Sequence, residues 1–263
     1  MSEPQRWIDP YAGFQYTPET LSVERSHQQE KLAGIGVDPD VFGDVVDPSF
    51  FIGIAIHAGI RSGITAEGNV NMVQELVQYR PARLDEPLVV RGQLADVHPV
   101  PRGRTLHSEV TFYDENDQPV IQANRVSLKP DPDKAGQRGA GERPALLVTD
   151  PAALLPGQHY ELTPQRVKQY SSEGNSIHYE EEAAKRAGFR APLIGGGMGV
   201  HFLLAEVWRQ QMPEQVRMQI YFRRPIFWDE TVQVAQDRKT NPSVMALLKP
   251  QGKVGTELSL GPV

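Results

Sequence analysis

Apolar and polar positions divide the chain into two runs of elements that follow a similar script. In the first run, Thr17 and Pro18 offer a helix cap and first turn and Gly34 a stop, which predicts a helix over 18–32. Segment 48–57 is apolar on nearly every side and reads as buried. Strand-like runs then predict strands at 72–80, 88–97, 105–113 and 120–128, with the polar stretch 114–118 as a hairpin loop. In the second run, Thr163-Pro164 opens a short helix, and 180–187 forms another, closed by Gly188. A glycine triplet, Gly195 to Gly197, precedes a segment at 198–209 whose apolar residues cover most of the helix circumference, the pattern of a buried central helix. Strands are expected at 216–222, 230–237, 244–249 and 257–260. Each run is thus a few helical segments, one buried helix and a meander of strands, an α+β arrangement that a sheet wrapped around a helix satisfies.

Composition marks the boundary between the runs. Residues 130–144 are rich in Pro, Gly, Asp and Arg with almost nothing apolar, too little to offset ordering entropy, so this stretch reads as a flexible linker. It gives an N-terminal unit at 1–130, a linker at 131–144 and a C-terminal unit at 145–263. The 263 residues are 39% hydrophobic and 23% charged, as in ordinary globular proteins. The absence of cysteine excludes disulfides, zinc–thiolate sites and thiol nucleophiles, and makes a cytoplasmic setting the default. No apolar run is long enough to cross a bilayer, and the polar N-terminus carries no secretory signal. A net charge of -6 with both signs scattered argues against a nucleic-acid partner.

Chemistry concentrates in one stretch, Glu173-Gly174-Asn175-Ser176-Ile177-His178, followed by Ala187-Gly188-Phe189 and Ala191-Pro192-Leu193-Ile194-Gly195-Gly196. It resembles the Asp-x-Asn-Pro-x-His motif of the (R)-specific enoyl-CoA hydratases, the MaoC-like family, with Glu173 at the Asp, Asn175 at the Asn, Ser176 at the Pro and His178 at the His. Tyr221-Phe222-Arg223-Arg224-Pro225 resembles the family's Arg-Phe-x-x-Pro strand, and Gln78-Tyr79-Arg80-Pro81 the matching strand of a non-catalytic copy. The resemblance implies a double hot-dog, two antiparallel sheets each wrapped around a central helix. The second half would be catalytic and the first, lacking an acid/base pair, would make room for the acyl chain. It also implies interconversion of a trans-2-enoyl thioester and an (R)-3-hydroxyacyl thioester of coenzyme A or acyl carrier protein, with no metal or redox cofactor. A homodimer follows by the same analogy.

That chemistry needs a base for water, an acid for the alpha carbon and donors at the thioester oxygen. Glu173 and His178 would hold the water, Asn175 would position them, and Gly196, flanked by Gly195 and Gly197, would present amides at the start of the buried helix. Arg223 and Arg224 are candidates for gripping phosphates of the thiol carrier, with a solvated strand edge as the competing reading. The motif departs from the family twice. Glu173 is one methylene longer than Asp, a displacement on the order of 1 Å that can cost ~100-fold in rate, and Ser176 removes a rigid proline that would otherwise fix the loop. No Gly-Lys-Ser/Thr follows the glycines, so a phosphate-binding P-loop is excluded. His57 and His201 read as satisfied core histidines, and His98 and His107 flank a hairpin tip at 99–104 without metal-ligand spacing. Two rival readings are a hot-dog thioesterase, in which Glu173 activates water toward the thioester carbon, and a non-catalytic acyl-thioester-binding subunit.

Overall fold

The computed structural model describes residues 7–134, 137, 139–141, 143–171, 174–239 and 243–263. The first half runs β1 (Phe14–Gln15), β2 (Glu19–Leu21), α1 (Arg25–Gly34), α2 (Phe50–Arg61), β3 (Val70–Gln78), β4 (Leu88–Val100), β5 (Gly103–Tyr113) and β6 (Pro119–Pro130). The second runs β7 (Leu155–Glu161), α3 (Pro164–Ser171), α4 (Glu181–Arg186), α5 (Gly196–Gln210), β8 (Val216–Phe222), β9 (Thr231–Gln236), β10 (Val244–Leu248) and β11 (Val254–Gly261).

The two expected sheets join edge to edge into one. Strand order is β1-β4-β5-β6-β3-β8-β11-β10-β9-β7, with β2 also on β4. The order reads as the same motif from either end, each half contributing a helix followed by four strands. The halves join where β3 pairs antiparallel with β8, from Val73 opposite Tyr221 to Gln78 opposite Val216. On the inner face of this seam Leu76 and Met218 are fully buried. An ion pair between Glu75 and Arg217 also crosses it.

Helix α5 is buried nearly all round, as its apolar circumference requires: Met198, Phe202, Leu203, Leu204 and Val207 are all inaccessible. Helix α2 differs. Phe51, Ile52, Ala55 and Ala58 face the core, with Phe51 edge-to-face on Phe112 at 4.7 Å. Its other face, carrying Gly53, Ile56, His57 and Ile60, is only half-buried and borders a cavity. A second apolar face on a central helix therefore serves an internal space rather than packing.

The helix expected over 18–32 begins later. Residues 19–21 pair with Leu88–Val90 of β4, so the sheet edge claims them, and α1 starts only at Arg25. Backbone hydrogen bonds hold parts of the polar connection against the first half. The Asp131 amide donates to the Arg102 carbonyl and that of Arg102 to Gly139, while Ala140 is buried. Backbone hydrogen bonds do this work, which a search for apolar side chains does not register.

Candidate active site

A cavity of about 950 Å³ lies between the halves, at the upper end of the range for small-molecule sites. Its walls are α2, the loop 66–69 leading into β3, the loop 174–178 and the start of α5. Each half supplies part of it.

The second-half loop is docked onto the first half by side-chain hydrogen bonds. Asn175 is buried; its Oδ1 accepts from the Gly68 amide at 3.2 Å and its Nδ2 donates to the Asn69 carbonyl at 3.0 Å. Both ends of the amide are spent on backbone, so Asn175 positions the loop. Ser176 donates its amide to Glu67 Oε2 at 3.2 Å and its hydroxyl to Glu67 Oε1. A proline at 176 could make neither bond. Gly174 has φ of 83°, a left-handed conformation, and an added Cβ would lie 3.1 Å from Ile60 Cδ1. Glu173 lies outside the described residues.

His178 follows on the single turn 176–178, with Ile177 buried beneath it. Its Nδ1 donates to the Leu193 carbonyl at 2.8 Å, which fixes the neutral tautomer and leaves Nε2 as an acceptor. Burial lowers its pKa below the ordinary imidazole value, while the Leu193 bond and the Glu67 charge oppose the shift more weakly. The imidazole borders the cavity.

The first turn of α5 faces the same space. Gly195 caps the helix without a side-chain bond, and among the described residues the amides of Gly195, Gly196 and Gly197 have no protein acceptor. Orphan N–H groups at the positive end of a 15-residue helix form a site for developing negative charge. Gly196 is required sterically, since an added Cβ would lie 2.8 Å from Asn71 Nδ2 and 2.9 Å from the Phe222 ring.

Behind this wall Asp47 and His201 form a fully buried pair at 2.6 Å, and His201 Nε2 meets the Tyr170 hydroxyl at 2.8 Å. The acceptor-only carboxylate places the ring proton on Nδ1, so Nε2 accepts from Tyr170. Burial and the Asp47 charge push the Tyr170 pKa up, keeping its hydroxyl protonated. His201 is thus a satisfied core histidine. His57, by contrast, borders the cavity, with its Nδ1 on the Gly53 carbonyl at 3.0 Å.

The two arginines expected to bind phosphate divide. Arg223 donates from Nε to Glu257 at 2.6 Å and from its other nitrogens to the carbonyls of Pro144 and Ala145. Its side chain is 7% exposed and that of Glu257 is inaccessible, so Arg223 anchors the connection and is not free to grip a ligand. Arg224 uses one nitrogen on the Val254 carbonyl and lines the cavity together with Arg102, Lys129 and Arg143. Glu67, Asn71 and Arg125 are cavity residues that sequence reasoning missed. Glu67 meets Ser176 across 109 positions of chain, and no short-range spacing marks such a contact. Among the described residues no cluster of three metal-ligating side chains occurs, and no helix is long and apolar enough to cross a membrane.

No family model and no curated protein matches the chain. Solved structures do. HtdX from Mycobacterium tuberculosis is 18% identical with a TM-score of 0.76, over 93% of this chain and 98% of that one. A MaoC-like dehydratase from Phytophthora capsici is 17% identical with a TM-score of 0.68, over 94% and 95%. A further Mycobacterium tuberculosis protein, described as having a double hot-dog fold, is 12% identical with a TM-score of 0.63, over 94% and 96%. The identities are low, the coverage is nearly complete at both ends of each comparison, and the strand order repeats across the β3–β8 seam: this chain is a double hot-dog protein, with the architecture of the MaoC-like dehydratases.

Proposed function

We propose that the protein is a hydratase/dehydratase that interconverts trans-2-enoyl and (R)-3-hydroxyacyl thioesters. The observation that carries this reading is the convergence of a neutral, tautomer-fixed imidazole and the unpaired amides of α5 on one cavity between the halves. In the hydration direction, Glu173 and His178 hold one water. As its oxygen bonds to C3, one of the two groups takes a proton and the other delivers one to C2. The neutral His178 suits the first task and Glu173, in its protonated form, the second, with the proton gained by His178 returned to Glu173 before the next turnover. Charge that builds on the thioester oxygen is met by the amides of Gly196 and its neighbours. The chain on either side of Glu173, at Ser171 and Gly174, lines the cavity, which supports the role its place in the motif suggests. The half-buried face of α2 offers room for the acyl chain. Arg102, Lys129, Arg143 and Arg224 offer positive charge for a phosphorylated thiol carrier, coenzyme A or acyl carrier protein.

The test is to follow loss of the conjugated enoyl absorbance of crotonyl-CoA alongside release of free thiol. The native protein is expected to consume the enoyl group without releasing thiol. Glu173→Ala and His178→Ala are each expected to lower kcat by about 100-fold or more, the scale of a general acid or base, with little change in thermal midpoint. Thiol release without hydration would replace this reading with thioester hydrolysis. Turnover unaffected by both substitutions would remove the roles assigned to these residues.

A further inference from the structure

Arg125 lies on β6 and forms part of the cavity wall in the first half. Its Nε donates to Asn71 Oδ1 at 2.7 Å. Among the described residues no carboxylate lies within ion-pairing distance of it, and the Tyr16 phenol near it has a pKa raised by burial and so carries no charge near neutrality. Desolvation lowers the Arg125 pKa to about 10, which still leaves it charged near neutrality. The residue is half-buried, and burying a cation is costly unless it is paired. The described carboxylates that also border the cavity have other partners, Glu67 on Ser176 and Asp131 beside Lys134. Among the described residues the terminal nitrogens of the guanidinium have no hydrogen-bond partner, and they are the fork that binds a carboxylate in two places.

The position of Arg125 narrows the choice of anion. Asn71, which accepts from Arg125, has its Nδ2 2.8 Å from where a Cβ on Gly196 would sit. One amide group therefore separates the guanidinium from the helix start that faces the thioester oxygen. Phosphates of a pantetheine carrier lie the whole pantetheine arm away from that oxygen, and the basic residues Arg102, Lys129, Arg143 and Arg224 are available to them elsewhere on the wall.

We propose that Arg125 binds a carboxylate on the acyl portion of the substrate, so that the preferred thioester is that of a short unsaturated dicarboxylic acid rather than a simple fatty acid. The inference rests on the acyl-thioester reading above and specifies its substrate class. Asn71, held by Arg125, links recognition of this carboxylate to the amides at Gly196.

Succinyl-CoA and butyryl-CoA differ by a carboxylate in place of a methyl group and cannot be hydrated, so their binding reads the contact without turnover. Calorimetry on the native protein is expected to favour succinyl-CoA by roughly 30-fold or more, the scale of a buried charge pair. Arg125→Met is expected to abolish the preference and leave binding of coenzyme A itself unchanged. Equal affinities for the two thioesters in the native protein would overturn the proposal. So would a loss in Arg125→Met that is the same for succinyl-CoA, butyryl-CoA and coenzyme A, which would assign the guanidinium to a phosphate. Should Arg125→Met fail to fold by circular dichroism, Arg125→Lys carries the test. It keeps the charge and loses the fork, and an undiminished preference for succinyl-CoA in that variant would overturn the assignment. Turnover of fumaryl-CoA and crotonyl-CoA separates the two readings. A succinyl preference without hydration of either substrate sinks the hydratase reading alone, and hydration of both at equal kcat/KM without a succinyl preference sinks the Arg125 assignment alone.

Discussion

His178 is desolvated at the cavity wall, and this burial outweighs the opposing effect of the hydrogen bond that its Nδ1–H donates to the Leu193 carbonyl, so its folded pKa lies below its unfolded value of about 6.5. The sign of the effect on activity follows. The neutral base persists to lower pH than an ordinary imidazole, and the acid limb of the kcat/KM profile that His178 controls is expected below about pH 6.5. Stability moves the same way: between the lowered folded pKa and about 6.5 the unfolded chain binds more protons, so the fold weakens as pH falls through that window. An acid limb centred above 6.5 would contradict the assignment of His178 as the neutral base. Ser176 illustrates a different point. The sequence reads it as a lost proline and a looser loop, yet its amide and hydroxyl are both held by Glu67 of the other half. Constraint that a proline ring would supply covalently comes here from a carboxylate.

At the scale of elements, the start of α5 was legible because three glycines before an apolar helix have few other uses. Strand β8 also begins and ends where alternation places it, at Val216–Phe222. Strands β2 and β7 were not legible. β7 is an edge strand exposed at all but one position, interrupted by Pro156 and Gly157, with a register shift between Pro156 and His159. Nothing in its pattern distinguishes it from a loop. The α5 start gives a direct test of how closely ligand and backbone approach. Gly196→Ala would push a methyl group against Asn71 Nδ2 and the Phe222 ring. Relieving such overpacking typically costs about 1–3 kcal/mol. The variant is expected to melt lower than the native protein and to lose thioester turnover out of proportion to that loss. Full activity in Gly196→Ala would show that the amides there do not meet the substrate.

At the scale of the molecule, the halves share one sheet and one main core, and a buried polar chain ties them. Gln28 and Asp47 come from the first half and His201 and Tyr170 from the second. Gln28 Oε1 accepts the Asp47 amide at 2.9 Å, and the Asp47 carboxylate meets His201. Breaking a buried pair by removing one partner typically costs about 3–5 kcal/mol. For a chain of this size that is a fall in melting temperature of roughly 10 °C. Asp47→Ala is therefore expected to lower a single thermal transition that both halves follow. Two transitions, with only one displaced, would show that the halves unfold separately despite the shared core.

The sequence by itself determined the local elements whose burial is periodic and the helix-then-meander script repeated twice, while the loop that carries His178 was marked only by its resemblance to a family motif. Those features depend on residues close together in the chain, where the period of side-chain exposure is written directly into residue type. Tertiary structure decided everything that depends on distant pairs: the β3–β8 seam that makes one sheet of two, the docking of Asn175 and Ser176 on residues 67–69, the withdrawal of Arg223 into a pair with Glu257, and the place of His57 and Arg125 on the cavity wall. The reason is that a side chain's chemistry is set by what faces it. For these residues the facing groups lie tens to more than a hundred positions away, beyond the reach of any local pattern.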